Sequence, residues 1–395
     1  MPAKIALPRI LRIGGGAFKE AQEVLEMLGL KSPLIVTDPF LRKSGLARML
    51  AEFLRLPGQA RIFSETVSDP TASSVEAGLE FLGRGTHDCV IGLGGGSSID
   101  TAKAIAALAV HGGSMKDYKA PRELNSPGLP VIAIPTTAGT GSEATRFTIV
   151  TDDKTNEKML CIGLAYLPQA ALVDFELTLT KPMRLTADTG VDSLTHAIEA
   201  YVSRRANPLA DDFALSAMKS IWANLRIACF EPRNRAARER MMLAATQAGI
   251  AFSNSSVALV HGMSRPIGAQ FHVPHGMSNA MLLPSVTEFS IAGAPERYAE
   301  CARMMGIVSP SASAQEGGEK LSAALKELNK DLQVPTPQAF GISREAWETS
   351  IPKMVEQAIA SGSPANNPRV PSPEQIKAIY LKLWSGASSD STHSD

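Results

Sequence analysis

Cysteine is scarce in this chain, and net charge is absent. Its 395 residues include only four cysteines, Cys89, Cys161, Cys229 and Cys301, far apart and with no C-x-x-C pair. That argues against a disulfide framework and for single buried thiols in a reducing compartment. Lys plus Arg number 39 and Asp plus Glu number 39, so the formal charge is zero. Such a balance offers nothing to nucleic acid or another polyanion. No stretch approaches the roughly 18 uninterrupted apolar residues of a membrane span. Met1 to Arg12 holds two prolines and no long apolar run, so no secretory leader is expected. The expectation is a soluble cytoplasmic enzyme. The G-x-G-x-x-G fingerprint of ordinary dinucleotide sites is also missing.

What is present begins with a different glycine loop. In D-C-V-I-G-L-G-G-G-S-S-I-D-T-A-K-A, from Asp88 to Ala104, an apolar stretch reads as a buried strand. Gly94, Gly95 and Gly96 follow, then Ser97 and Ser98, then a helical pattern. Glycines let backbone N–H groups approach a phosphate, and a helix N-terminus adds positive potential. Ser97 reads as the cap of that helix, with Asp100 as its capping-box partner. Strand, glycines, serines and helix in this order point to a bound diphosphate.

The histidines supply the second feature. T-G-V-D-S-L-T-H places Asp192 and His196 four apart, on one face of a helix. His261 and His275 bracket H-G-M-S-R-P-I-G-A-Q-F-H-V-P-H-G. One carboxylate with imidazole nitrogens suits Zn²⁺ or Fe²⁺ rather than Ca²⁺ or Mg²⁺. By spacing alone, Asp192 and His196 equally describe a hydrogen-bonded pair, and four protein ligands are usual in a structural zinc site.

At 395 residues two domains are expected, and the pattern changes at Lys181-Pro182. Residues 1–182 alternate short apolar runs with helical stretches: strands at Leu34–Val36, Arg61–Val67, Cys89–Leu93, Val131–Ile134 and Ala171–Asp174, helices at Pro39–Leu54 and Ser74–Leu82. Such alternation means a parallel sheet covered on both faces, with ligands beyond the carboxyl ends of its strands. Asp38, Gly94 to Ser98 and Thr136 to Thr140 fall at such ends. Residues 183–395 are helical throughout. Leu209, Phe213, Met218, Ile221, Trp222 and Leu225 mark one apolar face, and Met241–Ile250 another helix. Leu321, Leu325, Leu328 and Leu332 mark a further stripe. Pro364–Pro373 reads as a loop, and Ser385–Asp395 as a frayed end.

G-G-G-S-S-I-D-T-A-K, P-T-T-A-G-T-G-S-E-A-T, D-T-G-V-D-S-L-T-H-A-I-E-A-Y and V-H-G-M-S-R-P-I-G…P-H-G-M-S-N-A occur in that order between Gly94 and Ala280. Together they resemble the iron-containing alcohol dehydrogenase family. The resemblance implies an α/β nucleotide-binding domain, an all-helical domain like that of dehydroquinate synthase, and a metal in the cleft between them. It implies Asp192, His196, His261 and His275 as ligands of Fe²⁺, or of Zn²⁺, which binds such sites more tightly. It also implies NAD as cofactor and a homodimer or higher homo-oligomer.

Several residues carry two readings. Asp38 suits the ribose hydroxyls of NAD, repelling a 2′-phosphate, and equally suits a helix cap before Pro39. Thr136, Thr137 and Thr140 are cofactor contacts or ordinary turn residues. Lys158 resembles a family lysine near the nicotinamide ribose, or is a solvated surface lysine. Phe252 resembles an aromatic at the substrate mouth, or is core. Arg265 stands where many family members carry histidine, and an arginine is no general base near neutral pH. It reads as a fork for an anionic substrate group or as a structural ion pair. His272 is a substitute proton relay or a polar loop residue. The expected function is interconversion of a small primary or secondary alcohol and its aldehyde or ketone, including an anionic substrate such as an acid semialdehyde. A dehydroquinate synthase-like NAD and metal lyase is the alternative, and a non-catalytic nucleotide-binding protein a third.

Overall fold

Six short strands, all parallel, make the centre of the first half. A computed structural model describes residues 3–56 and 61–384. In chain order the strands are β1 (Ile10–Ile13), β2 (Pro33–Val36), β3 (Ile62–Phe63), β4 (Cys89–Gly94), β5 (Val131–Pro135), β6 (Phe147–Thr151), β7 (Lys158–Ile162) and β8 (Ala170–Val173). The sheet order is β1-β8-β5-β4-β2-β3, while β6 and β7 pair antiparallel as a separate hairpin. β2, β4, β5 and β8 are buried throughout, which is why they read as unbroken apolar runs. Their side chains alternate between two cores. Leu34, Val36 and Val90 join one cluster, and Ile35, Ile91 and Leu93 join the one on the opposite face.

The helices of this half are α1 (Ala21–Leu28), α2 (Pro39–Lys43), α3 (Leu46–Phe53), α4 (Ala72–Gly83) and α5 (Gly96–His111). The expected helix over Pro39–Leu54 is in fact two, broken at Gly45, whose φ is +88°. The expected strand Arg61–Val67 shrinks to Ile62–Phe63 at the sheet edge. The hairpin went unread in the sequence, although F-T-I-V-T and K-M-L-C-I both alternate in burial. Ser385–Asp395 lies outside the described residues.

From Met183 the chain is helical: α6 (Met183–Val202), α7 (Pro208–Phe230), α8 (Arg235–Asn254), α9 (Leu259–Phe271), α10 (His275–Ser290), α11 (Pro295–Met304), α12 (Ala314–Asp331), α13 (Arg344–Ala360) and α14 (Pro373–Leu383). α6 is the central helix: nearly every side chain from Thr186 to Val202 is buried. It packs against α7, α8 and α10. The leucine stripe of α12 is buried as its spacing demands. Leu209 is an exception to the apolar face assigned to α7, being exposed in its first turn. The two halves touch at glycine. Gly141, with φ +62°, lies so close to α8 that a Cβ there would sit 2.4 Å from the Cα of Gly249. Among the described residues no single helix is long and apolar enough to cross a membrane. All four cysteines are buried free thiols.

Candidate active site

A cavity of about 510 Å³ is lined by both halves of the chain. Its floor is a carboxylate surrounded by imidazoles. Asp192 and His196 project from α6 one turn apart, His261 from α9, and His275 from the first residue of α10. Asp192 Oδ1 lies 3.8 Å from His196 Nε2, 3.5 Å from His261 Nε2 and 3.8 Å from His275 Nε2. Ligand atoms of Asp192, His261 and His275 all fall within 4.8 Å of one another. His196 lies outside that group of three, one turn from Asp192 on α6, with its Nε2 still 3.8 Å from the shared carboxylate oxygen.

The protonation states fit a cation as well. Burial alone would raise the Asp192 carboxyl, but His196, His275 and His261 outweigh it and hold the group far below the usual carboxylate range. Burial, opposed by Asp192, lowers His196 to about 4 and His275 to about 3, so both are neutral imidazoles with a free lone pair near pH 7. His261 behaves oppositely. Burial would lower it, but Glu199 and then Asp192 raise it.

Glu199 is one residue that sequence reading missed. Its Oε2 lies 2.6 Å from His261 Nδ1, which fixes the proton there and aims Nε2 at Asp192. The same carboxylate accepts the N–H groups of Ala258 and Val260, holding the first turn of α9. Its spacing was a usable signal, since residues 192, 196 and 199 share one helical face. Asn279 was missed too, one turn after His275. Its Nδ2 donates to Asp192 Oδ1 at 2.6 Å and lies 3.2 and 3.3 Å from the Nε2 atoms of His261 and His275. Phe252 stacks on the His196 ring at 4.2 Å and 17°, so it orients that imidazole as well as lining the cavity.

We expect Glu199→Gln to weaken metal binding by about 10- to 100-fold, because such outer partners fix the tautomer and basicity of a ligand histidine. Chelator competition checks it. Affinity within a factor of two of the unmodified protein would make Glu199 merely a support for α9.

The glycine loop faces the same cavity. Gly94 has φ +151°, and a Cβ there would lie 2.4 Å from Ser98 Oγ, so only glycine fits. The N-cap of α5 is Gly95, with no side-chain cap, which corrects the reading of Ser97 and Asp100 as a capping box. Asp100 instead accepts from Ser142 Oγ at 2.6 Å and from the N–H of Ile149, tying α5 to the hairpin. Lys103, fully buried one turn on, donates to Ser142, Thr145 and the Phe147 carbonyl. With no cap, the N–H groups of Gly96, Ser97 and Ser98 stay open to an anion. Gly96, Ser97, Asp100 and Thr140 line the cavity. The Ser98 hydroxyl is turned away, 3.2 Å from Thr66 Oγ1. Thr136 is buried, its N–H on the Gly94 carbonyl, and Thr137 lies beside Gly95.

The other predicted residues divide. Asp38 caps α2 by accepting the Leu41 N–H at 2.8 Å, and lies outside the large cavity. Lys158 is no surface lysine: it lines the cavity from β7, paired with Asp69 at 2.9 Å, its side chain 10% exposed. Arg265 also lines the cavity, its Nη1 donating to Ser363 Oγ at 3.0 Å. His272 must be corrected: it is the exposed left-handed C-cap of α9, with φ +55°, and does not line the cavity. The turn that ends α9 points it outward, so it is no relay at this site.

Known proteins share this fold and sequence. Residues 8–175 match the iron-containing alcohol dehydrogenase family, and residues 186–384 match the Fe-containing alcohol dehydrogenase family, C-terminal. The chain is 37% identical over 375 residues to the NAD-dependent methanol dehydrogenase of Bacillus methanolicus, covering 94% of this chain and 97% of that protein. A crystal structure of 1,3-propanediol oxidoreductase superposes with a TM-score of 0.91 at 35% identity, over 97% of this chain and 100% of that one. Sulfoacetaldehyde reductase from Bifidobacterium kashiwanohense, in complex with NAD⁺, superposes with a TM-score of 0.87 at 29% identity, over 98% and 100%. Parallel sheet, helical second half and the match along nearly the whole chain agree: the protein belongs to the iron-containing alcohol dehydrogenase family.

Proposed function

We propose that this alcohol dehydrogenase is NAD-linked and metal-dependent, with Asp192, His196, His261 and His275 holding Fe²⁺ or, alternatively, Zn²⁺. Its substrate on this reading is a small primary or secondary alcohol, or the corresponding aldehyde or ketone. The observation that carries the reading is the shared cavity, in which an ionised carboxylate beside the neutral imidazoles of His196 and His275 faces the same space as the uncapped start of α5. We place the division between the domains at residues 182 and 183, where Pro182 caps α6.

When bound, the ion supplies a Lewis acid for the alcohol or carbonyl oxygen, and the nicotinamide takes or gives the hydride. The chain does the rest. Asp192 offers a fixed negative oxygen, and Asn279 donates to it and keeps it oriented. Glu199 holds the proton of His261 on Nδ1. Phe252 fixes the plane of His196. The N–H groups of Gly96, Ser97 and Ser98 receive the cofactor diphosphate. Lys158, held by Asp69, places a cation on the cavity wall. Arg265 keeps its proton near neutral pH, so it carries charge and accepts no proton from the alcohol.

The test is turnover of the Fe²⁺- or Zn²⁺-loaded protein with NAD and small alcohols, and with NADH and aldehydes, followed at the NADH absorbance band. No turnover in either direction with fully loaded protein overturns the reading.

Cofactor choice turns on Asp38. One carboxylate oxygen caps α2, and we assign the other to the adenosine ribose. Asp38→Ser keeps a capping oxygen and removes the charge. Lifting a like-charge contact of about 1 kcal/mol or more improves NADP use relative to NAD by roughly fivefold or more. The ratio of kcat/KM for the two cofactors measures it. An unchanged ratio leaves Asp38 as a cap alone.

A further inference from the structure

Arg265 stands beside the ligand cluster. It lies one turn after His261 on α9 and lines the cavity. Its side chain makes one hydrogen bond among the described residues, from Nη1 to Ser363 Oγ. Its Nε is buried without a partner. It forms no ion pair with a carboxylate among the described residues. Among the described residues, the charged side chain that acts on it is Glu199, whose oxygens are taken by His261, Ala258 and Val260. Burial pushes the guanidinium down to about 10, which still leaves it cationic near pH 7.

The other carboxylates on the cavity wall do not balance it. Asp69 is paired with Lys158, Asp100 with Ser142 and the Ile149 N–H, and Glu123 is hydrogen-bonded by Asn125. The Arg146 side chain, on the same wall, donates through Nε to the Ser253 carbonyl and pairs with no carboxylate among the described residues. Ser363, itself buried, accepts from Arg265, and its own hydroxyl proton has no acceptor among the described residues. A cationic fork and a hydroxyl donor therefore stand together beside the ligand cluster, and among the described residues no carboxylate, Asp192 included, forms a hydrogen bond or ion pair with either. A buried charge without a partner is costly, and a bound anion removes that cost.

We propose that Arg265 and Ser363 recognise an acidic group on the substrate, a carboxylate, sulfonate or phosphonate, so that the enzyme works on anionic aldehydes and the matching hydroxy acids. This rests on the alcohol–aldehyde reading above and deepens it. Side chains one helical turn apart have Cβ atoms about 5–6 Å from each other. With the carbonyl at the His261 end, the acidic group sits about one to three carbons away. The reaction is balanced by the cofactor already assigned. Hydride passes from NADH to the carbonyl carbon, the C=O π pair moves to oxygen, and a proton from water completes the hydroxyl.

Two measurements on the metal-loaded protein test this. The first compares 4-oxobutanoate with butanal in NADH-dependent reduction. The anion should be favoured roughly ten- to a hundredfold in kcat/KM, as expected for one charge-assisted pair. In Arg265→Met that ratio should fall to near one, and Arg265→Lys should keep part of it. The second is calorimetry of propane-1-sulfonate against the protein saturated with NAD. The unmodified protein should bind it, Arg265→Met should lose binding by roughly tenfold or more, and Ser363→Ala by several-fold. Equal use of the two aldehydes, or sulfonate binding indifferent to Arg265, overturns the anion site and leaves the alcohol–aldehyde reading standing. Arg265-dependent sulfonate binding without turnover of either aldehyde supports the anion site and overturns that reading.

Discussion

His275→Ala should lose bound metal and turnover together, with kcat/KM down by on the order of a thousandfold. The size follows from the several kcal/mol that a Lewis acid contributes to a developing alkoxide, at about 1.4 kcal/mol per tenfold. His275 is the cleanest of the four ligands to remove. It begins α10 rather than sitting inside a helix, and its side chain is 30% exposed, against 6% for His196 and 3% for His261. His261→Ala should be equally inactive but also less stable, because it strips Glu199 of one of three partners in a buried place. The decisive observation pairs metal analysis with single-turnover rates. Metal content near that of the unmodified protein, with turnover within tenfold, would remove His275 from the ligand set.

Gly95→Val should abolish NAD binding while leaving metal bound. Gly95 has φ −74° and ψ −172°, an extended conformation that a β-branched residue adopts readily. A Cβ there meets nothing nearer than Thr137 Oγ1, at 3.5 Å. The variant should therefore fold, unlike one at Gly94, where positive φ and Ser98 both forbid a side chain. What valine obstructs is the approach of a diphosphate to the N–H groups of Gly96, Ser97 and Ser98. Charge-assisted hydrogen bonds contribute about 1.5–3 kcal/mol each, so losing two costs more than about a hundredfold in affinity. Calorimetry with NAD, alongside metal analysis, checks both halves of this expectation. Undiminished affinity would move the diphosphate away from this loop.

Much of the site was legible because its parts are local. Asp192 and His196 needed only the helical repeat to fall on one face, and Gly94 to Ser98 needed only the order of strand, glycines and helix. The buried strands β2, β4, β5 and β8 announced themselves as apolar runs because both faces of the sheet are covered. The Asp38-Pro39 cap was equally local, since N-cap and first helical position adjoin.

What the sequence by itself determined, then, was the kind of each element and the chemistry each one could bring. Only the tertiary structure decided which of those chemistries meet. It brought Glu199 onto His261, 62 residues away, and turned Asp100 from a cap into a brace for Ser142 and the hairpin. It set Lys158 into the cavity and left His272 outside, although both are polar residues in stretches of little pattern. Above all it placed Ser363, 98 residues on, beside Arg265, which pairs with no carboxylate among the described residues. The reason is physical. Periodicity and capping depend on backbone geometry within one or two turns. Hydrogen bonds and charge pairs between distant segments depend on how helices pack, which no single segment encodes.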